Sequence, residues 1–365
     1  MLNKEKINFN LPIYFTGNKT PLTNEIKKDL ELIETDDLKQ KPIYNILFNS
    51  NTYFDNLLLD KWGEYTCNNK LFLKDSQHLY KNINDLQNNQ LKIDKMIKIW
   101  NNINNETNFL EKYQFIEWEK LYFLNNSKLF LSILSFYNFT SPVIQLLSPL
   151  FALITPFLIM KSLGIPITSE TYYNILIQNL KLQPIFQLFI SFNAMNLGQQ
   201  IYGLLMLGLY IYNIYSNIIS CYKFYIQMKT ITEEFDDIKK YLDYTIENIT
   251  FILNKTKHLK SYHNFNIELT NKKNKLIDFL NNIRCIPKTI FKGFNITHIG
   301  SIMKYYFTLW DSKDIEELIH YSFGFNCYYN NLIGLNKNIQ DNKINYCKFS
   351  NNSNNIFEIF SISSN

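Results

Sequence analysis

Side chains that could bind a metal or attack a substrate are few and scattered in this chain. The five histidines include no H-x-x-x-H pair, and Cys327 follows His320 at a spacing of seven without another ligand close in sequence. A structural zinc site needs four such ligands, and a catalytic site needs three. The sequence therefore predicts no metal, no cofactor and no catalytic residue.

Carboxylates occur in pairs, but their setting is typical of surface charges. The pairs are Asp311 with Asp314 and Glu316 with Glu317, in a short polar helix beside Trp310. Acid–base catalysis needs a pocket that shifts the pKa of such groups, and nothing in this stretch predicts one.

A phosphate-binding loop is absent from the sequence. The nearest string, TGNKT (Thr16–Thr20), lacks both the adjacent Gly-Lys and the earlier glycine of the G-x-x-x-x-G-K-[S/T] motif. Without them, backbone amides cannot wrap a phosphate. We expect this chain alone to turn over no ATP and to be no enzyme.

Composition limits what the remaining patterns can mean. The chain has 50 Asn but only two Ala and one Val, a bias typical of an AT-rich genome, so stretches rich in Lys and Asn are poor evidence for a nucleic-acid surface. The formal charge of +5 favours anionic partners only weakly.

The cysteines and the N-terminus bear on location. Five widely spaced cysteines and a polar N-terminus without a cleavable leader predict an intracellular location and no signal peptide.

Two long uncharged runs dominate the middle of the chain. Residues Leu129–Met160 contain 32 consecutive uncharged positions, and Leu182–Tyr222 contain 41. Each exceeds the roughly 20 residues that cross a ~30 Å hydrocarbon core. The second run carries tyrosines towards one end, as an interfacial belt does: Tyr210, Tyr212, Tyr215 and Tyr222.

A two-span membrane hairpin is the interpretation that these runs favour. Pro142, Pro149 and Pro156 interrupt the first run, but prolines are tolerated in spans where neighbours satisfy the freed carbonyls. The alternative is the core of a large helical domain, in which polar residues such as Gln145 and Asn217 would lie inside protein. Both interpretations stay open at the level of sequence.

Beyond the second run, apolar residues and two threonines, Thr245 and Thr256, alternate by four and three from Ile231 to Leu259, a heptad spacing. A second helical stretch follows the interruption SYHNF (Ser261–Phe265) and places Leu269, Leu276 and Leu280 on a similar seam. The pattern predicts an antiparallel coiled-coil hairpin over residues 224–284.

The expected fold is mainly α: a helical core, a long antiparallel coiled-coil hairpin and two long apolar helical segments that could form a transmembrane hairpin. Five zones follow along the chain. They are a small N-terminal capping region (1–60), an amphipathic helical core (61–128), the apolar hairpin (129–222), a coiled-coil lever arm with returning helices (223–335) and a low-complexity tail (336–365).

Several ordered segments carry a family resemblance over residues 42–335. They are LDKWGEYTCNNKLFLKDSQHL (Leu59–Leu79), FYNFTSPVIQLLSPLFALITPFLI (Phe136–Ile159), YLDYTIEN (Tyr241–Asn248), HIGSIMKYYFTLWDS (His298–Ser312) and YSFGFNCYYNNLIGL (Tyr321–Leu335). Together they resemble the non-ATPase half of the MutS-like DNA mismatch repair proteins of giant DNA viruses.

The resemblance implies a core and a lever that embrace DNA, and a C-terminal P-loop ATPase that would begin after Leu335. Here a polar tail follows instead, so no nucleotide-binding residue can be assigned, and no Phe-x-Glu pattern marks a mismatch-reading domain in residues 1–60.

Two functions follow as expectations. The first is a MutS-like protein lacking its ATPase domain, a non-catalytic DNA-binding or assembly module associated with a membrane of the infected host cell. Its partners would be duplex DNA, a second copy or a separate MutS ATPase chain. The lysines expected to grip DNA phosphates are Lys255, Lys257, Lys260, Lys272 and Lys273. The alternative is a membrane-anchored structural or interaction protein with a coiled-coil arm and no DNA role.

Overall fold

The computed structural model describes residues 4–37, 39–83, 89–164, 166, 168–181, 186, 188, 195–288, 296–347 and 349. The chain is 75% helical and 2% strand, with two long apolar helices. The predicted mainly α fold is confirmed.

The described residues include twelve α-helices, which we label in chain order. They are α1 (Asn24–Asp29), α2 (Ile43–Leu47), α3 (Leu59–Trp62), α4 (Lys70–Lys81), α5 (Gln90–Asn104), α6 (Phe109–Lys112), α7 (Lys128–Leu163), α8 (Ser169–Lys181), α9 (Leu197–Thr256), α10 (His263–Arg284), α11 (Ile296–Asp311) and α12 (Lys313–Gln340). Short 3₁₀ helices lie at Lys4–Lys6, Pro12–Phe15, Glu119–Asn126 and Lys260–Tyr262. Strands β1 (Lys19–Pro21) and β2 (Tyr65–Cys67) pair antiparallel, with Lys19 opposite Cys67.

The chain folds into two compact units, each built from distant stretches. Unit 1 combines Met1–Leu91, Leu242–Asp278 and Glu317–Asn365, and unit 2 combines Lys92–Tyr241 and Phe279–Glu316. The five predicted zones do not coincide with these units. The 223–335 zone in particular contributes to both, because α9 and α10 each continue from one unit into the other.

In unit 1 the buried helix α12 is held by amides that no apolar pattern marks. Its buried asparagines bond to distant segments: Asn326 donates to Thr245 Oγ1 at 2.8 Å, and Asn336 donates to the Ile83 carbonyl at 3.1 Å. Asn338 donates to the Ile46 carbonyl at 2.7 Å. A buried amide is costly unless it is hydrogen-bonded, so these contacts fix which segments lie against α12.

The C-terminal half of α9 and helix α10 run antiparallel, as the heptad spacing indicated. Near the turn, Thr256 donates to Asn266 Oδ1 at 2.7 Å, and Lys239, seventeen residues earlier, donates to the Ile286 carbonyl at 2.5 Å. The predicted seam residues Ile238, Leu242, Ile249 and Leu280 are all buried.

The turn end of this hairpin is not a free arm. Within unit 1, Tyr262 stacks on Phe72 with ring centroids 5.7 Å apart, and its hydroxyl lies 2.9 Å from Ser76 Oγ. Phe265 meets Phe9 edge-on at 6.2 Å. The tip of the hairpin therefore belongs to the core of unit 1.

In unit 2 a close helix crossing fixes the base of α7 against α11. A Cβ added to Gly300 would lie 2.4 Å from the Lys128 carbonyl and 2.8 Å from the Ser132 amide nitrogen, both backbone atoms. On the next turn of α7, Ser135 Oγ lies 3.0 Å from the sulfur of Met303. Only glycine permits the two helices to approach so closely at this point.

Replacement of Gly300 by alanine tests this crossing. Because the new methyl group meets backbone that cannot rotate away, we expect Gly300→Ala to lower the free energy of unfolding by about 1–3 kcal/mol. Gly17→Ala is the matched control, since a Cβ there meets no atom within 4 Å. Chemical denaturation of both variants measures the effect, and equal stabilities would contradict the close crossing.

Candidate membrane-inserting hairpin

Helix α7 has defined capping signals at both ends. Ser127 caps its N-terminus, with the side chain accepting a hydrogen bond from the Phe130 amide, and Gly164 ends it in the left-handed conformation at φ 68°. The 36 residues between them form one helix, roughly 54 Å long at ~1.5 Å per residue. A residue with a side chain would be strained at this positive φ, so the glycine at position 164 allows the chain to leave the helix there.

The first half of α9 pairs antiparallel with α7. The Phe139 and Phe224 rings meet edge-on, 5.1 Å apart, near the base of the pair. Further along both helices, the Asn217 side-chain amide donates to Gln145 Oε1. The two helices therefore form a second antiparallel pair, the apolar hairpin, which lies wholly within unit 2.

Two of the three prolines in α7 have their freed carbonyls satisfied by hydroxyl groups. Proline has no amide hydrogen, so Pro142 leaves the Asn138 carbonyl without its helical donor, and Pro149 does the same to Gln145. Ser141 Oγ lies 3.4 Å from the Asn138 carbonyl, and the Tyr210 hydroxyl on α9 donates to the Gln145 carbonyl at 3.2 Å. Because these partners come from the protein, neither carbonyl requires water.

Hydroxyl side chains along α7 also bond within the helix. Ser135, Thr140 and Thr155 each donate to the carbonyl four residues earlier, at 2.6, 2.8 and 2.8 Å. A hydroxyl satisfied this way is tolerated in a hydrocarbon environment, where an unpaired polar group costs several kcal/mol. The backbone and hydroxyl chemistry of the helix is thus compatible with lipid.

The apolar side chains of the hairpin point outward. By length and composition, two helical stretches among the described residues could cross a bilayer: Lys128–Leu147 of α7, and α9 (Leu197–Thr256). In the most apolar part of each stretch, 17% and 0% of the residues are buried. Leu147 is 43% exposed and Leu209 is 48% exposed. Monomeric soluble proteins rarely leave contiguous apolar surface of this extent in water.

The free parts of the two helices match in length. Leu131, Ser132 and Ser135 at the base of α7 are buried, and the uncharged stretch beyond them runs from about residue 136 to 160. The uncharged part of α9 is 197–222. Both stretches measure about 38 Å at ~1.5 Å per residue, enough for a ~30 Å hydrocarbon core with some tilt.

The predicted tyrosine belt is split between two roles. Tyr212, Tyr215 and Tyr222 are exposed, whereas the Tyr210 hydroxyl turns towards α7 and bonds to Gln145. The sequence pattern of tyrosines could not separate these roles, because Tyr210 differs from the others only in lying opposite the Gln145 carbonyl, which Pro149 frees. Of the predicted second run, residues 182–185, 187 and 189–194 lie outside the described part of the chain.

The five lysines predicted to contact DNA occupy two levels of the α9–α10 pair. Lys255 lies in the last turn of α9, and Lys257 and Lys260 follow in the connection to α10. Lys272 and Lys273 lie within α10, about 14 Å from its start at ~1.5 Å per residue. The structure thus places three of the five together.

Their side chains also differ in environment. Lys272 Nζ lies 5.0 Å above the Tyr321 ring, and Lys255 Nζ lies 5.3 Å above the Phe251 ring. Lys257 and Lys260 are exposed. The pair beside the turn is therefore the most accessible to a polyanion.

Within the described residues, no group of three or more His, Cys, Asp or Glu side chains is arranged to hold a metal ion. Comparisons of the chain with protein-family models, curated proteins and solved structures return no match. The MutS-like assignment rests on the sequence segments alone and stays a prediction.

The bond from Tyr210 to Gln145 can be tested against the proline that makes it necessary. We expect Tyr210→Phe to destabilise the hairpin by about 1 kcal/mol, because the Gln145 carbonyl loses its donor. In a Pro149→Ala background the same change should cost almost nothing, since the amide of residue 149 then satisfies that carbonyl. Unfolding in detergent micelles measures the cycle.

Equal costs in both backgrounds would show that Tyr210 acts independently of Pro149. Tyr212→Phe is the control, because Tyr212 is exposed on the same stretch of α9.

Proposed function

We propose that this protein is a membrane-anchored, non-catalytic assembly module, held in the bilayer by the α7–α9 hairpin. The observation that carries the proposal is the outward-facing apolar surface on two helices whose proline-freed carbonyls at Asn138 and Gln145 are satisfied within the protein. Such a surface gains roughly 25 cal/mol per Å² when water is replaced by lipid. Internal hydrogen bonding is what a spanning helix requires.

A hairpin sets the topology of the rest of the chain. Because α7 and α9 run antiparallel, residues before Lys128 and after Lys223 lie on the same side of the bilayer. Lys128, Lys223 and Lys229 are found at that end, and the positive-inside rule places them in the cytosol. The other end carries the segment that contains Lys161 and Lys181.

Insertion predicts a specific sensitivity to charge. Leu209 lies at the middle of the uncharged part of α9, so Leu209→Arg should cost about 2.5–3.5 kcal/mol of insertion free energy. The matched control is Leu129→Arg, because Leu129 is also exposed but lies beside Lys128 at the base. Carbonate extraction of membranes from expressing cells measures the fraction inserted.

We expect wild type and Leu129→Arg to stay in the membrane pellet and Leu209→Arg to shift towards the supernatant. Release of the wild-type protein by carbonate would remove the anchor role.

We propose, second, a MutS-like role in which the turn of the α9–α10 pair contacts duplex DNA. This proposal is supported by the exposed pair Lys257 and Lys260 beside the turn, together with the sequence resemblance. Contact with phosphates would fix position on DNA without reading its sequence. The ATPase of such a system would be a separate chain, and pairing with it or with a second copy belongs to the same proposal.

Phosphate contacts predict steep salt dependence. We expect the full-length protein in micelles to bind duplex DNA at about 50 mM salt and to lose most of that affinity at physiological salt. Replacement of Lys255, Lys257, Lys260, Lys272 and Lys273 by glutamine should abolish binding. The control replaces five exposed lysines elsewhere in the chain: Lys28, Lys39, Lys70, Lys74 and Lys313.

Fluorescence anisotropy with labelled duplex measures the affinities. No binding by wild type at low salt, or equal losses in both lysine variants, would contradict a DNA contact at this turn.

A further inference from the structure

An amide side chain lies on the outer surface of the apolar hairpin, close to the middle of the proposed span. Asn213 is exposed on α9, four residues from Leu209, which is about 6 Å along the helix axis at ~1.5 Å per residue. Its side chain forms no hydrogen bond among the described residues. The hydrocarbon core extends about 15 Å to either side of its midplane, so Asn213 would lie inside it.

Two other amides on the helices of the hairpin have partners within the protein. Asn138 donates to Gln114 Oε1 at 2.5 Å, and Asn217 donates to Gln145 Oε1. In water the exposed amide of Asn213 is satisfied by solvent, but in lipid an unpaired amide is costly. Because the side chain is exposed, a polar partner for it in the bilayer would come from another molecule.

The positions around Asn213 form an outward-facing heptad. Along α9 they are spaced four, three, four, three and four residues apart, and we call them the outer seam: Tyr202, Met206, Leu209, Asn213, Ser216 and Ser220. Met206 is partly buried, and the other five are exposed. A heptad spacing brings two helices together at a left-handed crossing of about 20°, the commonest geometry between membrane helices.

The outer seam is a different face from the one that meets α7. Tyr210, Asn217 and Cys221 contact α7, at Gln145 and at the Phe139 carbonyl. Each of the three directly follows a residue of the outer seam, and consecutive residues of a helix point about 100° apart. In a four-helix bundle each helix has neighbours on two such adjacent faces. Two copies of the hairpin, joined through α9, can therefore form a bundle of this kind.

The polar part of the outer seam continues from Asn213 towards Lys223. The Ser216 and Ser220 hydroxyls form no hydrogen bond among the described residues, whereas Thr140 and Thr155 on α7 bond within their own helix. Small side chains such as serine let two helix backbones approach closely in a membrane. The seam thus combines a polar group that needs a partner with room for a second helix.

The partner that fits this seam is a second copy of the chain. The same charge distribution orients every copy, so two α9 helices lie parallel and their Asn213 side chains lie at the same depth. An amide both donates and accepts, so two amides related by a two-fold axis can satisfy each other. A single Asn at a seam position is also a residue that fixes the register of parallel helix pairs. A different protein would have to place a polar group at that same depth.

We propose that the protein forms a parallel homodimer within the membrane, in which the outer seams of two copies pack together and the two Asn213 side chains bond to each other. The proposal rests on the membrane insertion proposed above, and it names the partner with which the anchored protein assembles.

The test uses the full chain in the membranes of expressing cells, where all copies share one orientation. Copies fused to donor or acceptor fluorescent proteins are co-expressed, and Förster energy transfer between them is measured over a range of expression levels. Carbonate extraction of the same membranes reports insertion separately.

We expect energy transfer for the wild type and an association about threefold to thirtyfold weaker for Asn213→Leu, the effect of hydrogen bonds between membrane helices. Asn213→Gln should keep most of the association, because it keeps the amide. Thr155→Val is the matched control: Thr155 is exposed on α7, and its hydroxyl already bonds to the Phe151 carbonyl.

Oxidative cross-linking locates the interface. Leu209→Cys and Ser216→Cys, both on the outer seam, should each form a disulfide-linked dimer. Ile211→Cys is the control, because Ile211 is exposed on roughly the opposite side of α9 from Leu209 and should cross-link no more than the wild type.

Absence of energy transfer in protein that stays in the carbonate pellet would overturn the dimer and leave the anchor intact. Energy transfer that Asn213→Leu lowers no more than Thr155→Val does, or cross-linking as strong at position 211 as at 209 and 216, would also overturn the dimer. Release of the wild-type protein by carbonate would overturn both proposals.

Discussion

The apolar hairpin depends on how the carbonyl groups in the middle of α7 obtain hydrogen bonds without water. Pro149 removes the donor for the Gln145 carbonyl, and Tyr210 on the opposite helix supplies a replacement. The side chain of Gln145 is also used, since it accepts from Asn217. One residue thus connects α7 to α9 through both its backbone and its side chain. These contacts specify which faces of the two helices meet, and the apolar side chains on the other faces are then directed outward.

Helix α9 connects the apolar hairpin to the rest of the protein. Its 60 residues form one continuous helix, which begins in the hairpin and ends in the core of unit 1. The same helix provides outward-facing apolar surface in the hairpin and the heptad seam with α10. Buried positions such as Phe235, Ile238 and Leu242 show that its surface changes from outward-facing apolar residues to a packed core near residue 224. The change coincides with the first lysine, Lys223.

Periodicity in the sequence was sufficient to predict helices and buried seams, but not their partners. The heptad spacing identified Ile238, Leu242, Ile249 and Leu280, because an apolar stripe reports which face of a helix avoids water. It did not indicate that the tip of the hairpin packs into unit 1 through Tyr262 and Phe265. The bonding role of the asparagines in α12 could not be predicted either. In a chain with 50 Asn the residue type carries little information, and the partners of these asparagines lie far away in sequence. The role of Tyr210 arises from the pairing of α9 with α7, which one-dimensional spacing does not specify.

The prolines of α7 recur every seven residues, at 142, 149 and 156. Seven residues are close to two helical turns, so the carbonyls they free fall along nearly one line of the helix. A single residue inserted or deleted between Phe139, which contacts Phe224 on α9, and Gln145 would rotate the Gln145 carbonyl by about 100° away from Tyr210. Substitutions that keep an apolar side chain leave this line unchanged. The hairpin should therefore accept wide drift in the identity of its apolar residues over evolutionary time, while changes in the length of α7 are selected against.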